Sequence, residues 1–181
     1  MPAKDAITLL VDDHREVEQM FQQYETAVGG QKKDIVERIT TELSKHAAVE
    51  EQYLYPLTEE AVAGGADLAS ESLDEHQTMK NLLAELEDMD AATSAYDTKV
   101  HALMDEVRHH VEEEEGELFP KLRAAVGPDR LAELGEKMEK AKAMAPTRPH
   151  PRAPDKPPLN KVAGPVAGLV DRVTGKDKSG D

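Results

Sequence analysis

Two short segments, HAAVEEQYLYP at residues 46–56 and HVEEEEGELFP at residues 110–120, constrain the fold more than any other feature of the chain. In both, a His is followed at +4 by Glu, at +9 by an aromatic residue and at +10 by Pro. Residues four apart lie one above the other on a helix, so each segment presents an imidazole and a carboxylate on one face. A looser repeat, DDHREVEQMF at 12–21 and DEHQTMKNLL at 74–83, sets acidic residues before a His. Within each half the two histidines are 32 and 34 residues apart, His14 to His46 and His76 to His110. Two helical hairpins, each carrying His and then His-x-x-x-Glu, predict a pseudo-twofold bundle with four His and two Glu at one level.

The rest of the chain fits that plan. Residues 3–145 are rich in Ala, Leu, Glu and Lys, and no Val/Ile/Thr run alternates with period two, so helix dominates. Breakers at VGGQ (28–31), AGGA (63–66), DMDAATSAY (88–96) and AVGPDR (125–130) divide it into helices. The expectation is an all-α fold: an up-down-up-down four-helix bundle with helices of roughly 25–30 residues. A short fifth helix opens at Pro128. Pro56 and Pro120 are expected to kink or end their helices, because proline lacks a donor and its ring clashes with the preceding turn.

Each helix carries an apolar stripe with one His in it. Ile7, Leu10, Val17, Phe21 and Tyr24 flank His14. Ile35, Ile39 and Leu43 lead to His46, Glu50 and Tyr53, and Leu73, Met79, Leu83 and Leu86 flank His76. Val100, Leu103 and Val107 lead to His110 and Glu114. The neighbouring His109 lines up with Ala102, Asp105, Glu112 and Glu113, a polar face, and Glu112, Glu113 and Glu115 are read as solvent or rim residues.

Two carboxylates in buried seams need a partner, since an isolated buried charge is too costly to desolvate. No Lys or Arg falls in the seams at the level of Glu50 and Glu114, so a metal ion is the natural source of the missing charge. Imidazole with carboxylate suits Fe, Mn or Zn, and the chain has no Cys to make a thiolate site, a disulfide or a Cys nucleophile. Six ligands are too many for one tetrahedral zinc. Two metals sharing two glutamates, with two histidines each, match both the count and the repeat. Tyr53, seven residues after His46, reads either as a further phenolate ligand or as a core tyrosine bonded to a polar neighbour.

The formal charge is −15. Residues 146–181 hold seven Lys/Arg against four Asp/Glu, a balance of +3, which leaves −18 on residues 1–145. An acidic body argues against nucleic acid. The absence of a long apolar run argues against a membrane span, and the N-terminus lacks the pattern of a secretory signal, so the expectation is a soluble cytoplasmic protein. The segment 146–181 contains seven of the eleven prolines and reads as a disordered or extended basic tail, available to a protein partner, with a weak amphipathic stretch at Val166–Val173.

The pattern His14, His46-x-x-x-Glu50, His76, His110-x-x-x-Glu114, with YP and FP near the ends of helices 2 and 4, resembles the hemerythrin-like, or HHE cation-binding, family over roughly residues 5–125. The resemblance implies a four-helix bundle with a non-haem di-iron centre, oxo- or hydroxo-bridged, in which Glu50 and Glu114 bridge the irons and the four histidines cap them. Oxygen-carrying members have a second His one turn along helix 3, where this chain has Lys80, and end in His-x-x-x-x-Asp rather than His-x-x-x-Glu. The four-His, two-Glu form is similar to bacterial hemerythrin-like proteins linked to peroxide and nitric oxide chemistry. It implies a protein that binds or turns over hydrogen peroxide, nitric oxide or O2 in oxidative or nitrosative stress defence, with catalase-like or peroxidase-like activity as the catalytic version. The alternative is an iron- or oxygen-responsive sensor without catalysis. The stripe assignment has a direct test: His110→Ala should lower the metal content of the purified protein and His109→Ala should leave it nearly intact, whereas equal losses would show that the wrong face had been chosen.

Overall fold

The computed structural model describes residues 4–152, and every regular element among them is helical. The helices are α1 (Ala6–Thr26), α2 (Gly30–Val49), α3 (Tyr55–Ala61), α4 (Gly65–Glu87), α5 (Ser94–Glu113), α6 (Phe119–Ala125) and α7 (Pro128–Lys142). A π turn at Glu50–Leu54 joins α2 to α3, and a second at Glu114–Leu118 joins α5 to α6. The two joined pairs run on as long rods, so the chain makes the four bundle helices that were expected, and α7 is the fifth.

The apolar stripes explain the topology. One buried cluster gathers Ile7 and Leu10 of α1, Val49 and Leu54, Leu73 of α4, and Leu118 and Leu122. A second gathers Val17, Phe21, Leu43, Met79, Leu83, Leu103 and Val107. Along the chain the order is cluster one then two in α1, two then one through α2, one then two in α4, and two then one through α5. That alternation is an antiparallel up-down-up-down arrangement. His14, His46, His76 and His110 each sit where their helix passes from one cluster to the other, so they form a polar layer between two apolar ones.

Two expectations change in detail. Pro56 and Pro120 end neither helix. Each falls just after a π turn whose widened ring, Tyr55 N–H to the Glu50 carbonyl and Phe119 N–H to the Glu114 carbonyl, comes immediately before the residue without a donor. The fifth helix is also longer than expected, at 15 residues. It packs chiefly on α1 and α2. Of the Pro-rich tail, residues 146–152 carry no helix, and the Val166–Val173 stretch lies outside the described residues.

α7 comes so close to the start of α1 that Gly135 has no room for a side chain. A Cβ there would lie 2.2 Å from the Lys4 carbonyl oxygen and 2.9 Å from the Ala6 nitrogen. In an open helix Gly→Ala gains about 1 kcal/mol. Against backbone at this distance the sign reverses, and Gly135→Ala should lower the denaturation midpoint by a cost of about 1–3 kcal/mol. A rise in midpoint would contradict this packing.

Candidate metal centre

The four histidines are buried, and all four Nε2 atoms point to the bundle axis, where Glu50 and Glu114 are 0% and 1% exposed. His14 Nε2 is 3.2 Å from His46 Nε2, and His76 Nε2 is 3.2 Å from His110 Nε2. Glu50 spans the two pairs, with Oε1 3.1 Å from His46 Nε2 and Oε2 3.3 Å from His76 Nε2. Glu114 Oε2 lies 3.4 Å from His14 Nε2 and 3.5 Å from His110 Nε2. Two donor sets result, His14/His46/Glu50/Glu114 and Glu50/His76/His110, with Glu50 common to both.

These contacts are short, yet both oxygens of Glu50 and Oε2 of Glu114 make no hydrogen bond. An unsatisfied buried carboxylate oxygen is expensive. The separations fit another purpose. Bonds of about 2.1 Å to one ion place neighbouring donors about 3.0 Å apart in an octahedron and about 3.4 Å apart in a tetrahedron. The donor atoms of each set are therefore spaced as the corners of a coordination polyhedron.

The outward ring nitrogens are held as consistently. His14 Nδ1 donates to Glu115 at 2.9 Å, His46 to Asp13 at 3.2 Å, His76 to Glu51 at 2.9 Å and His110 to Glu75 at 2.6 Å. A proton on Nδ1 leaves the Nε2 lone pair for a metal and fixes the ring. Three of the four carboxylates are themselves anchored by a cation: Arg15 on Glu115, Lys142 on Asp13 and Lys80 on Glu51. Lys80, at the position where oxygen carriers have a further His, thus acts through the His76 ring instead. Glu75 is approached by His109 at 3.6 Å. Helical spacing does not single out these four carboxylates, and Glu115, expected at the rim, instead holds the His14 ring. A signal for them was present: each is next in sequence to a candidate ligand (Asp13–His14, Glu50–Glu51, Glu75–His76, Glu114–Glu115) and serves the histidine of another helix.

Tyr53 is half-buried and lines a cavity that the four histidines also border. A hydroxyl that reaches the centre is that of Tyr55, which donates to Glu114 Oε1 at 3.1 Å and lies 3.0 Å from His76 Nε2. The reason is the π turn. One extra residue in a turn rotates everything beyond it by about 100°. On a regular helix Tyr55 would lie away from Glu50, and the wider turn brings it over Glu50. The repeat partner of Tyr55 is Phe119, whose ring stacks on His14 with centroids 5.8 Å apart. The two halves of the centre therefore differ, with a phenol on one side and a phenyl on the other. Burial, then Glu114 and Glu50, hold the Tyr55 hydroxyl protonated well above its usual range.

A helical bundle with a buried layer of imidazoles and carboxylates defines a class of cation-binding domain, and comparison with known proteins supplies its family. The model of the hemerythrin HHE cation-binding domain matches residues 5–122, and the chain belongs to that family. A hemerythrin-like protein of Schizosaccharomyces pombe is 30% identical over 168 residues, 89% of this chain and 80% of the relative. A DNA nickase of a Nostoc species is 27% identical over 132 residues, 72% of this chain, and the match spans 37% of that longer protein. The crystal structure of an HHE cation-binding domain-containing protein from Mycobacterium kansasii shares the fold, with a TM-score of 0.67 at 20% identity, covering 77% of this chain and 88% of that one. Among the described residues, no helix is long and apolar enough to cross a membrane.

The charges make a pH prediction for the metal-free protein. Burial alone would lower the His46 pKa, but Glu50 and Asp13 outweigh it and raise it from 6.5 to about 10. Burial opposes the same rise in His76, where Glu50 and Glu51 prevail and lift it to about 9. A pKa raised on folding adds stability that is complete below the unfolded value and is lost as pH climbs through the folded one. Metal-free protein should therefore become easier to denature between pH 7 and 10, in equilibrium denaturation at several pH values. A midpoint that is flat or rising over that window would contradict these ion pairs.

Proposed function

We propose that the His/Glu layer holds two iron ions and that the protein binds or turns over a small ligand there: hydrogen peroxide, nitric oxide or O2. The observation that carries this reading is the set of three buried carboxylate oxygens without hydrogen bonds, facing four imidazole lone pairs. His14 and His46 would hold one ion and His76 and His110 the other, with Glu50 and Glu114 shared. Imidazole with carboxylate is a donor set that suits iron. Six protein donors divided between two ions leave positions for a solvent bridge and an outside ligand. When bound, an iron pair supplies two-electron exchange with a peroxide or a diatomic molecule.

The chain's own residues set the conditions. The Nδ1 bonds to Asp13, Glu51, Glu75 and Glu115 fix the rings and raise their basicity. The apolar clusters above and below keep bulk water out. Tyr55 brings a phenol to the centre. It is placed either to complete the coordination of the His76/His110 ion or to donate a hydrogen bond to a ligand oxygen. This chemistry belongs to oxidative or nitrosative stress defence, with catalase-like or peroxidase-like turnover as its catalytic form. A second reading, a metal- or oxygen-responsive module, draws on the link from Lys142 at the end of α7 through Asp13 to the His46 ring. That chain of bonds couples the last helix to the state of the centre.

Metal analysis on the purified protein tests the core of this proposal. Wild type should carry about two irons per chain. Glu50→Ala and Glu114→Ala should each lose at least one while the far-ultraviolet helix signal persists. Unchanged iron in both variants would remove the shared-carboxylate assignment. Rapid O2 release on adding hydrogen peroxide would favour turnover, and two irons without it would favour the responsive module.

A further inference from the structure

Between the His layer and the second apolar cluster lies a cavity of about 290 Å³. Val17, Leu43, Ala47, Met79, Leu83 and Val107 form much of its wall, and His14, His46, His76 and His110 all border it. The chain just beyond α7, Met144 to His150, closes another part of the wall. Two features of this space are unexplained by a diatomic ligand or hydrogen peroxide.

The first is size and lining. One water position needs about 10–15 Å³ on this measure, so a two-atom ligand requires roughly a tenth of the volume present. Val17, Leu83 and Val107 are 3%, 2% and 5% exposed, so this end of the space lies inside the bundle, and it widens outward past Gln52, Lys80 and the segment after α7. An apolar recess of this kind favours an apolar guest over water.

The second is Ser44. It borders this cavity, and its Oγ is buried with no hydrogen-bond partner. Other helical hydroxyls satisfy themselves on the carbonyl four residues back: Thr40 on Val36 at 2.8 Å, Ser72 on Leu68 at 3.1 Å and Thr78 on Asp74 at 3.1 Å. Ser44 does not, so an unpaired hydroxyl lies next to this space.

We infer that this cavity binds an organic hydroperoxide, with its apolar body against the aliphatic wall and its oxygen end between Ser44 and the imidazoles. At about 10–15 Å³ per position on the same measure, the space has room for about twenty water-sized groups, more than a hydroperoxide of about ten non-hydrogen atoms needs. The hydroperoxide class rests on the proposed function. The affinity for an apolar molecule bearing an oxygen does not.

The test uses 2-phenyl-2-propanol, the unreactive alcohol corresponding to cumene hydroperoxide, titrated calorimetrically into the full-length protein with its metal bound. Wild type should bind one equivalent saturably, with a Kd of about 1 mM or tighter. Ala47→Phe fills the void and should weaken binding by at least about tenfold. Ser44→Ala, which carries little risk to folding, should erase the alcohol's advantage over cumene, the same body without the oxygen. Absence of saturable binding to wild type, or equal affinities across the variants, would overturn the inference. The outcome is separable from that of the metal reading. A protein with two irons that consumes hydrogen peroxide but ignores the alcohol refutes only this inference. A chain that takes up no iron but binds the alcohol refutes only the metal assignment.

Discussion

The carboxylates of Glu50 and Glu114 sit at the centre of the bundle with almost no exposure and with three oxygens that no donor satisfies. The rest of the structure is organised around that charge. Four imidazoles surround it, one from each bundle helix, and four more carboxylates orient the imidazoles. Arg15, Lys80 and Lys142 anchor three of those in turn. Each ring of partners is nearer to solvent than the last, so charge is compensated outward until water takes over. Without metal, protons on His46 and His76 offset part of the innermost charge, and a bound cation would take their place.

The duplicated hairpin accounts for the balance of this layer, and departures from the duplication account for its direction. Tyr55 and Phe119 occupy the same place in the repeat, but one donates a hydrogen bond into the centre and the other stacks on the His14 ring. On the opposite side of the layer lies the cavity, bordered by the segment after α7. A phenol on one side and an apolar space on the other give a symmetric donor set two unlike faces.

Much of this was legible in the sequence because helical spacing is a strong signal. The stripe Val100, Leu103, Val107 identifies His110 over His109 without any coordinates, and the structure leaves His109 largely exposed while His110 is buried. The helix order followed from the breakers at 28–31, 63–66, 88–96 and 125–130. What spacing could not reveal was the pair of π turns. They break the 3.6-residue rule from Glu50 and Glu114 onward, so spacing alone does not bring Tyr55 to the centre. The four outer carboxylates were hidden for a different reason. Each serves a histidine on another helix, so no single-helix pattern links the partners. Asp13 and His46 are 33 residues apart, and His14 and Glu115 are 101 apart.

Iron-edge X-ray absorption on the purified protein tests the central claim most directly. Two ions sharing Glu50 and Glu114 require an imidazole-rich first shell and a second iron at about 3.5–4 Å from the first, or slightly closer if solvent also bridges. That scatterer, seen at a stoichiometry of two irons per chain, is the predicted result. A single iron with no metal neighbour, or metal bound without imidazole backscattering, would contradict the account.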